Sequence, residues 1–402
     1  MSNTIGVAII GAGPYGLSLA AHLLGRGIKH RIYGKPMGMW QTQMPDGMML
    51  KSEGFASSLS HPDGAFTLED YCQEQGIPYA DIGIPVSRDT FVSYGLEFQR
   101  RFAHRLEQTL VTKIVRDGAG FQLTFDDGST SMASQVVVAV GISHFQYTPP
   151  VLASLSPDRL SHSSRHNNLS HLRDKKVVVV GGGSSAVDIA IHLDAVGSHP
   201  ELVTRRSEIS FHNPPEKTKR PLHRRIRYPR SGLGVGWPAR LAEDVPLLFH
   251  KMPVEFRFRT VHQLLGPSAG WTTKEKVLGR IPVHTGLSLK NAAVENNHVR
   301  LTFQEGDGSP KELSADHVVA GTGYKTDLRR LPFIDQNLYQ DISSVEESPI
   351  LSKHFESSVP GLYFVGASAA NSFGPLLRFA CGAEFTSRHL SKHLSSKAAR
   401  IA

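Results

Sequence analysis

Ile5-Gly6-Val7-Ala8-Ile9-Ile10-Gly11-Ala12-Gly13-Pro14-Tyr15-Gly16 is the stretch whose reading decides the fold. The unbroken apolar run Ile5–Ile10 predicts a strand buried on both faces, as in a parallel sheet. Directly behind it the glycines at 11, 13 and 16 fill the pattern Gly-x-Gly-x-x-Gly. Each glycine has its own use: the first permits a tight turn, the second lets backbone approach a pyrophosphate, the third allows close helix–strand packing. A helical pattern from Leu17 to Leu24 follows, halted at Gly25 and Gly27, with a second strand expected at His30–Tyr33. The N-terminus of such a helix offers free N–H groups and the positive end of its dipole to phosphates. The pattern also expects an acid near the end of the second strand, to hold ribose hydroxyls. Tyr33-Gly34-Lys35 stands there instead, with no carboxylate.

The same logic recurs. Val177–Val180 runs into Gly181-Gly182-Gly183-Ser184-Ser185-Ala186, a helix is expected through His192, and a strand at Glu201–Thr204 ends in Arg205-Arg206. Cations at that point suit a 2′-phosphate, which favours NADPH over NADH. A second repeat accompanies the first. Phe121–Phe125, an Asp-Asp-Gly turn and Val136–Gly141 are matched by Leu301–Phe303, a Gly-Asp-Gly-Ser turn and Val318–Gly323. The doubling predicts an α/β chain of two Rossmann-like dinucleotide-binding domains. Residues 1–165 form the first part of an FAD domain. Residues 166–310 form an inserted NAD(P)H domain with a basic and helical insertion at 207–285, and 311–402 return to the FAD domain. Two nucleotides in one catalytic unit imply hydride passing from nicotinamide to flavin.

Composition bounds the alternatives. The 402 residues are 40% hydrophobic and 20% charged, which suits two or three packed domains and excludes intrinsic disorder. No apolar run reaches the ~18 residues of a membrane span, and no secretory leader is recognisable at the start. The lone cysteines Cys72 and Cys381 make neither a disulfide scaffold nor a Cys-x-x-Cys pair, so a reducing, cytoplasmic home is expected. Twenty histidines show no metal-ligand spacing, and no metal is expected. A nucleophilic hydrolase lacks its Gly-x-Ser-x-Gly elbow. The net charge is +8, and nine Lys or Arg against two acids lie between Arg205 and Arg230. That stretch reads as a loop over cofactor phosphates or an anionic substrate in preference to a nucleic-acid arm. An amphipathic stretch is expected from Ala239 to Leu265, ended by Gly266-Pro267.

These residues resemble the single-chain NADPH-dependent flavin monooxygenases, the group that includes the flavin-containing monooxygenases and the N-hydroxylating ornithine and lysine monooxygenases. Gly11–Leu17 resembles their flavin fingerprint and Gly181–Ala186 their nicotinamide fingerprint. Trp40 falls where they place a tryptophan beside the flavin. Ala320-Gly321-Thr322-Gly323-Tyr324 is similar to their Ala-Thr-Gly-Tyr signature with one glycine inserted, and Phe373-Gly374-Pro375 to their closing flavin segment. The resemblance and the fingerprints together place FAD against Gly11, Ala12, Gly13, Pro14, Tyr15, Gly16, Lys35, Trp40, Gly141, Gly366, Pro375, Leu376 and Leu377. They place NADPH or NADH against Gly181, Gly182, Gly183, Ser184, Ser185, Arg205, Arg206, Gly323 and Tyr324. A helix from Pro375 to about Leu394 is expected to aim its dipole at the flavin, with the tail after Ser395 fraying.

Lys51 and His144 are the candidate catalytic side chains, the flavin supplying the reactivity. The missing Cys-x-x-Cys and the Ala367 after Gly366 separate the chain from disulfide reductases. The resemblance therefore implies a monooxygenase that uses NAD(P)H and O2 on a small nucleophilic substrate, an amine, a sulfur compound or an electron-rich heterocycle such as the purine urate. The alternatives are a flavin reductase or oxidase that passes electrons to a quinone, a protein or O2, and a nucleic-acid-binding regulator with vestigial nucleotide folds. The expected partners are a small molecule and O2, without nucleic acid or membrane; a homo-oligomer is compatible with the sequence.

Overall fold

The computed structural model describes residues 4–216, 220–264 and 266–401. Lys217 and Lys219 of the basic stretch, and Leu265 at the end of the expected amphipathic stretch, lie outside the described residues.

Ile5–Ile10 forms the centre of a seven-stranded sheet in the order Leu106–Glu107, His30–Tyr33, Ile5–Ile10, Thr130–Val138, Gly120–Phe125, Val111–Asp117, with Leu362–Phe364 also paired to Thr130–Val138. Its nucleotide side is parallel: Ile9 sits opposite Ile32 on one flank and Val137 on the other, and Tyr363 opposite Val137. Ala8, Ile9, Val136 and Val137 have no exposed surface, because helices and loops cover both faces. The two strands at the far edge pair antiparallel, as the Asp-Asp-Gly turn demands.

A second, wholly parallel sheet runs Val283–His284, His199–Val203, Lys176–Val180, His317–Ala320, Leu160–His162. It draws Leu160–His162 and His317–Ala320 from outside residues 166–310. A three-stranded antiparallel sheet, Ser288–Glu295, His298–Gln304 and Pro310–Ala315, packs beside it.

The stretch beyond Ala239 is three short helices, Trp237–Asp244, Pro246–His250 and Val254–Gln263. Pro246 and Pro253 interrupt it, since proline has no N–H to continue a helix and suits a first turn.

The end of the chain differs from expectation. Pro375–Arg378 is a single 3-10 turn, and the long helix starts only at Gly382 and runs to Ile401. Phe379 is extended, at φ −121° and ψ 156°, and separates the two. The N–H of Leu377 donates to the Gly374 carbonyl. No long helix therefore points its dipole from Pro375, and the tail past Ser395 is helical.

Candidate functional site

The first glycine turn opens on a cavity of about 580 Å³. Gly11, at φ +113°, adopts a conformation closed to other residues, and a Cβ there would lie 2.5 Å from the Ala139 carbonyl oxygen. A Cβ on Gly16 would lie 1.9 Å from the Gly11 oxygen, so the helix Pro14–Gly25 presses onto the turn only because Gly16 has no side chain. Gly13 is different: a Cβ there would meet nothing within 4 Å. It caps the helix with no side-chain bond to the first N–H groups, and no acid occupies the first turn. That leaves an open, electropositive N-terminus facing the cavity.

Gly11, Ala12, Gly13, Pro14, Tyr15, Lys35, Trp40, Gly141 and His144 all line this cavity; Gly16 lies behind the turn. Trp40 stands edge-on to Phe91, ring centroids 4.8 Å apart. The His144 ring packs edge-on to Phe333 at 5.7 Å, and burial, aided by Arg330, holds its pKa below the ordinary value. The sequence reading missed Leu110, Val111, Thr112 and Phe333 on the far wall. They come from the antiparallel edge and from the segment after Arg330, and no local motif marks them.

Gly366, Pro375, Leu376 and Leu377 do not line the cavity. The three last are buried. Gly366 lies against the Tyr15 ring, its would-be Cβ 3.5 Å away. The Tyr15 hydroxyl donates to the Phe379 carbonyl at 2.8 Å, and burial drives its pKa well up. Tyr15 thus ties the glycine turn to the closing segment.

The second glycine turn repeats the geometry. A Cβ on Gly181 would lie 2.2 Å from the Gly321 oxygen, and one on Gly321 would lie 2.6 Å from Ala186 Cβ. The glycine inserted into the Ala-Thr-Gly-Tyr signature is therefore the point where the neighbouring strand passes the helix Ser184–Ala195. Gly183 caps that helix without a side-chain bond. Pro267 lies close above it, its Cβ 3.0 Å from a Cβ placed on Gly183. Arg205 and Arg206 are exposed, and the Arg206 guanidinium donates to the Pro267 carbonyl at 3.1 Å.

Gly323 and Tyr324 are held by a group the sequence reading did not find. His162 Nε2–H donates to the Gly323 carbonyl at 3.0 Å, while its Nδ1 accepts from the Ser164 N–H at 3.2 Å. Its ring stands edge-on to Tyr324 at 5.3 Å, and burial pushes its pKa down to about 4. Tyr324, Ser184's neighbour Ser185 and Asp188 meet Gln43, Met44 and Met48 around a small cavity of about 20 Å³. Gln43 lines this cavity and the large one, so the 41–48 segment bridges the first glycine turn's cavity and the helix Ser184–Ala195. Asp188 sits one helical turn beyond Ser184, whose hydroxyl donates to it at 3.3 Å; burial raises its pKa to about 7. Gln43 Oε1 and Ser163 Oγ are buried there without a partner. Lys51 lies outside both cavities and is solvent-accessible. Surrounding protein and then Arg378 lower its pKa, and Asp188 opposes them.

A second sizeable cavity, about 400 Å³, lies across residues 141–145 from the first: Gly141, Ser143 and His144 face the one, Ile142 and Phe145 the other. Its lining includes Tyr324, Lys325, Glu346, Asn371 and Arg378.

Two glycine turns on parallel strands, each leading into an uncapped helix, define a protein built for two dinucleotides. A family model described as pyridine nucleotide-disulphide oxidoreductase matches residues 8–227, and the chain belongs to that family. It is 30% identical over 198 residues to an uncharacterized CzcO-like oxidoreductase of Geobacillus kaustophilus, covering 48% of this chain and 52% of the relative. It is 25% identical over 215 residues to the indole-3-pyruvate monooxygenase YUCCA1 of Oryza sativa subsp. japonica, covering 50% and 48%. The chain thus spans about half the length of these curated relatives. Among solved structures, the ornithine hydroxylase PvdA of Pseudomonas aeruginosa shares the fold, with a TM-score of 0.75 at 16% identity over 98% of this chain and 99% of that one. Despite the family's name, both cysteines are free. Cys72 is buried, and burial drives the Cys381 thiol up to about 12, which leaves it unreactive.

Proposed function

We propose that the protein is an NADPH-dependent FAD monooxygenase acting on a small nucleophilic substrate. The observation that carries this is the pair of glycine turns, each leading into an uncapped helix, with Gln43 reaching from the first turn's cavity to Ser185 and Asp188 on the second helix. The first cavity fits FAD: the open space before Gly13 and the uncapped helix N-terminus form a pyrophosphate cradle that any side chain at 13 would fill. Bound there, FAD would accept hydride and deliver electrons to O2. Lys35 and Leu110–Thr112 would take the adenosine end, and Trp40 and His144 would wall the remainder. A neutral His144 can accept or donate one hydrogen bond at pH 7.

At the second turn the N-terminus of Ser184–Ala195 and the exposed Arg205 and Arg206 would hold the NADPH phosphates. Pro267, which lies over Gly183, would have to give way to them. His162 positions Gly323 and Tyr324 through its bond to the Gly323 carbonyl. The 400 Å³ cavity, polar and only one chain-width from the first, would take the substrate. Amines, sulfur compounds and electron-rich heterocycles, purines such as urate among them, belong to that class. The absence of a reactive cysteine pair leaves a thiol route for the electrons unsupported. The free cysteines also suit a reducing compartment.

The test is an electron balance. The FAD-loaded protein is given NADPH and O2 with candidate substrates, and product, O2 and peroxide are measured. One hydroxylated product per NADPH supports the proposal. Electrons that always end in peroxide, or in a quinone or dye, would replace it with a reductase or oxidase.

A further inference from the structure

Nineteen large apolar side chains stand out to solvent among the described residues, and eleven of them fall between Leu222 and Phe256. The helices there are built inside out. Trp237–Asp244 buries Ala239 and Ala242 while leaving Trp237 and Leu241 each 51% exposed. Leu248 is 53% exposed and Phe256 50%. Trp237 and Leu241 lie one turn apart on the first of these helices, and Val245, Leu248, Met252 and Phe256 continue the exposed apolar series through the next two. The helix Leu222–Arg227 buries nothing at all, and Leu222 and Ile226 lie one turn apart on it. The Gly236 N–H donates to the Pro229 carbonyl at 2.8 Å, which sets this helix beside Trp237.

Cations surround the apolar face. Between Arg220 and Arg259 stand nine Arg or Lys against three acids, all but the buried Arg257 reaching the surface. Two of the acids are engaged locally, Asp244 by Arg240 and Glu243 by the Gly232 N–H. Arg225, Arg227 and Arg259 are exposed and have no carboxylate partner among the described residues.

We infer that this face is a docking surface for an anionic lipid bilayer, lying on the membrane without crossing it. Exposed Trp, Leu and Phe beside Arg is the composition of an interfacial helix, the apolar side entering the acyl boundary and the cations meeting lipid phosphates. Charge decides against a second copy. A second copy would bring a face with the same cationic excess, nine Arg or Lys against three acids, whereas an anionic bilayer complements it. The expectation of no membrane partner rested on the lack of a spanning segment, which a peripheral contact does not need; among the described residues no helix is long and apolar enough to span. Two turns of chain past Met252, Val261 and His262 line the 400 Å³ cavity, so the bilayer would lie near its rim. The inference needs no activity and stands apart from the cofactor reading.

Co-sedimentation of the full chain with vesicles tests it. Phosphatidylglycerol-containing vesicles should retain it at least about tenfold better than pure phosphatidylcholine. Each of Arg225→Ser and Arg227→Ser should weaken retention about fivefold. A Trp237→Ser and Leu248→Ser double variant, shown to keep its circular dichroism and melting temperature, should abolish it. No preference for anionic vesicles would overturn the inference. So would a double variant that binds vesicles normally while a dimer seen by light scattering falls apart. Retention by duplex DNA with vesicles ignored would overturn it too.

Discussion

Gly13 and Gly16 lie three residues apart and carry opposite constraints. Gly16 sits 1.9 Å, Cβ to oxygen, from the carbonyl it packs on, whereas Gly13 faces open cavity. Gly16→Ala should therefore cost at least about 3 kcal/mol of stability through forced overpacking. Gly13→Ala, at φ −87°, should keep the melting temperature yet lower FAD occupancy about tenfold or more. Thermal melts and bound-flavin absorbance on the same two variants separate the effects. Asp188 gives a pH prediction. Folded, it holds its proton up to about pH 7; unfolded, it loses it near 3.8. The folded state binds more protons between those values, so stability falls as pH rises through them. Asp188→Asn should remove this slope and gain up to about 4 kcal/mol at pH 8, read by urea unfolding. The glycines were legible because steric demands leave one residue type. Asp188 and His162 were not, since their roles arise from burial and from partners on other strands.

At the scale of elements, the strands, hairpins and both glycine-led helices follow directly from apolar runs and turn residues. The closing segment does not. Pro375 reads as a helix start, but Phe379 turns extended and defers the helix to Gly382. What fastens this segment is the Tyr15 hydroxyl on the Phe379 carbonyl, a contact across the whole chain that no pattern announces. Tyr15→Phe leaves that carbonyl without its donor and should cost about 1–2 kcal/mol. It should also raise the FAD dissociation constant, because the glycine turn loses its anchor; fluorescence titration checks this. Gly321 teaches the converse. It looks like an interruption of a signature until the neighbouring Ala186 shows why nothing larger fits.

Over the whole molecule, several histidines are buried in neutral form. His22, His162 and His166 are each pushed down to about 4, burial being the main cause. The unfolded chain takes up protons at these sites below about 6.5 and the folded one does not until about 4, so stability falls with pH across that window. Melting temperature should drop steadily between pH 6.5 and 4, and a flat profile would contradict the burial of these rings. The doubled architecture was legible from the sequence, but the segment that joins the two units was not, because 41–48 carries no motif and is placed by long-range contacts, the Asn167 side chain donating to the Gln41 and Met44 carbonyls. Hydride transfer from a nucleotide at the second turn to a flavin at the first is the central claim, and an anaerobic titration tests it most directly. The FAD-loaded protein, mixed with one equivalent of NADPH, should lose its oxidised-flavin absorbance completely, and an Arg205→Ser and Arg206→Ser variant should need far more NADPH but no more NADH. A protein that binds both nucleotides yet keeps its flavin oxidised would contradict the account.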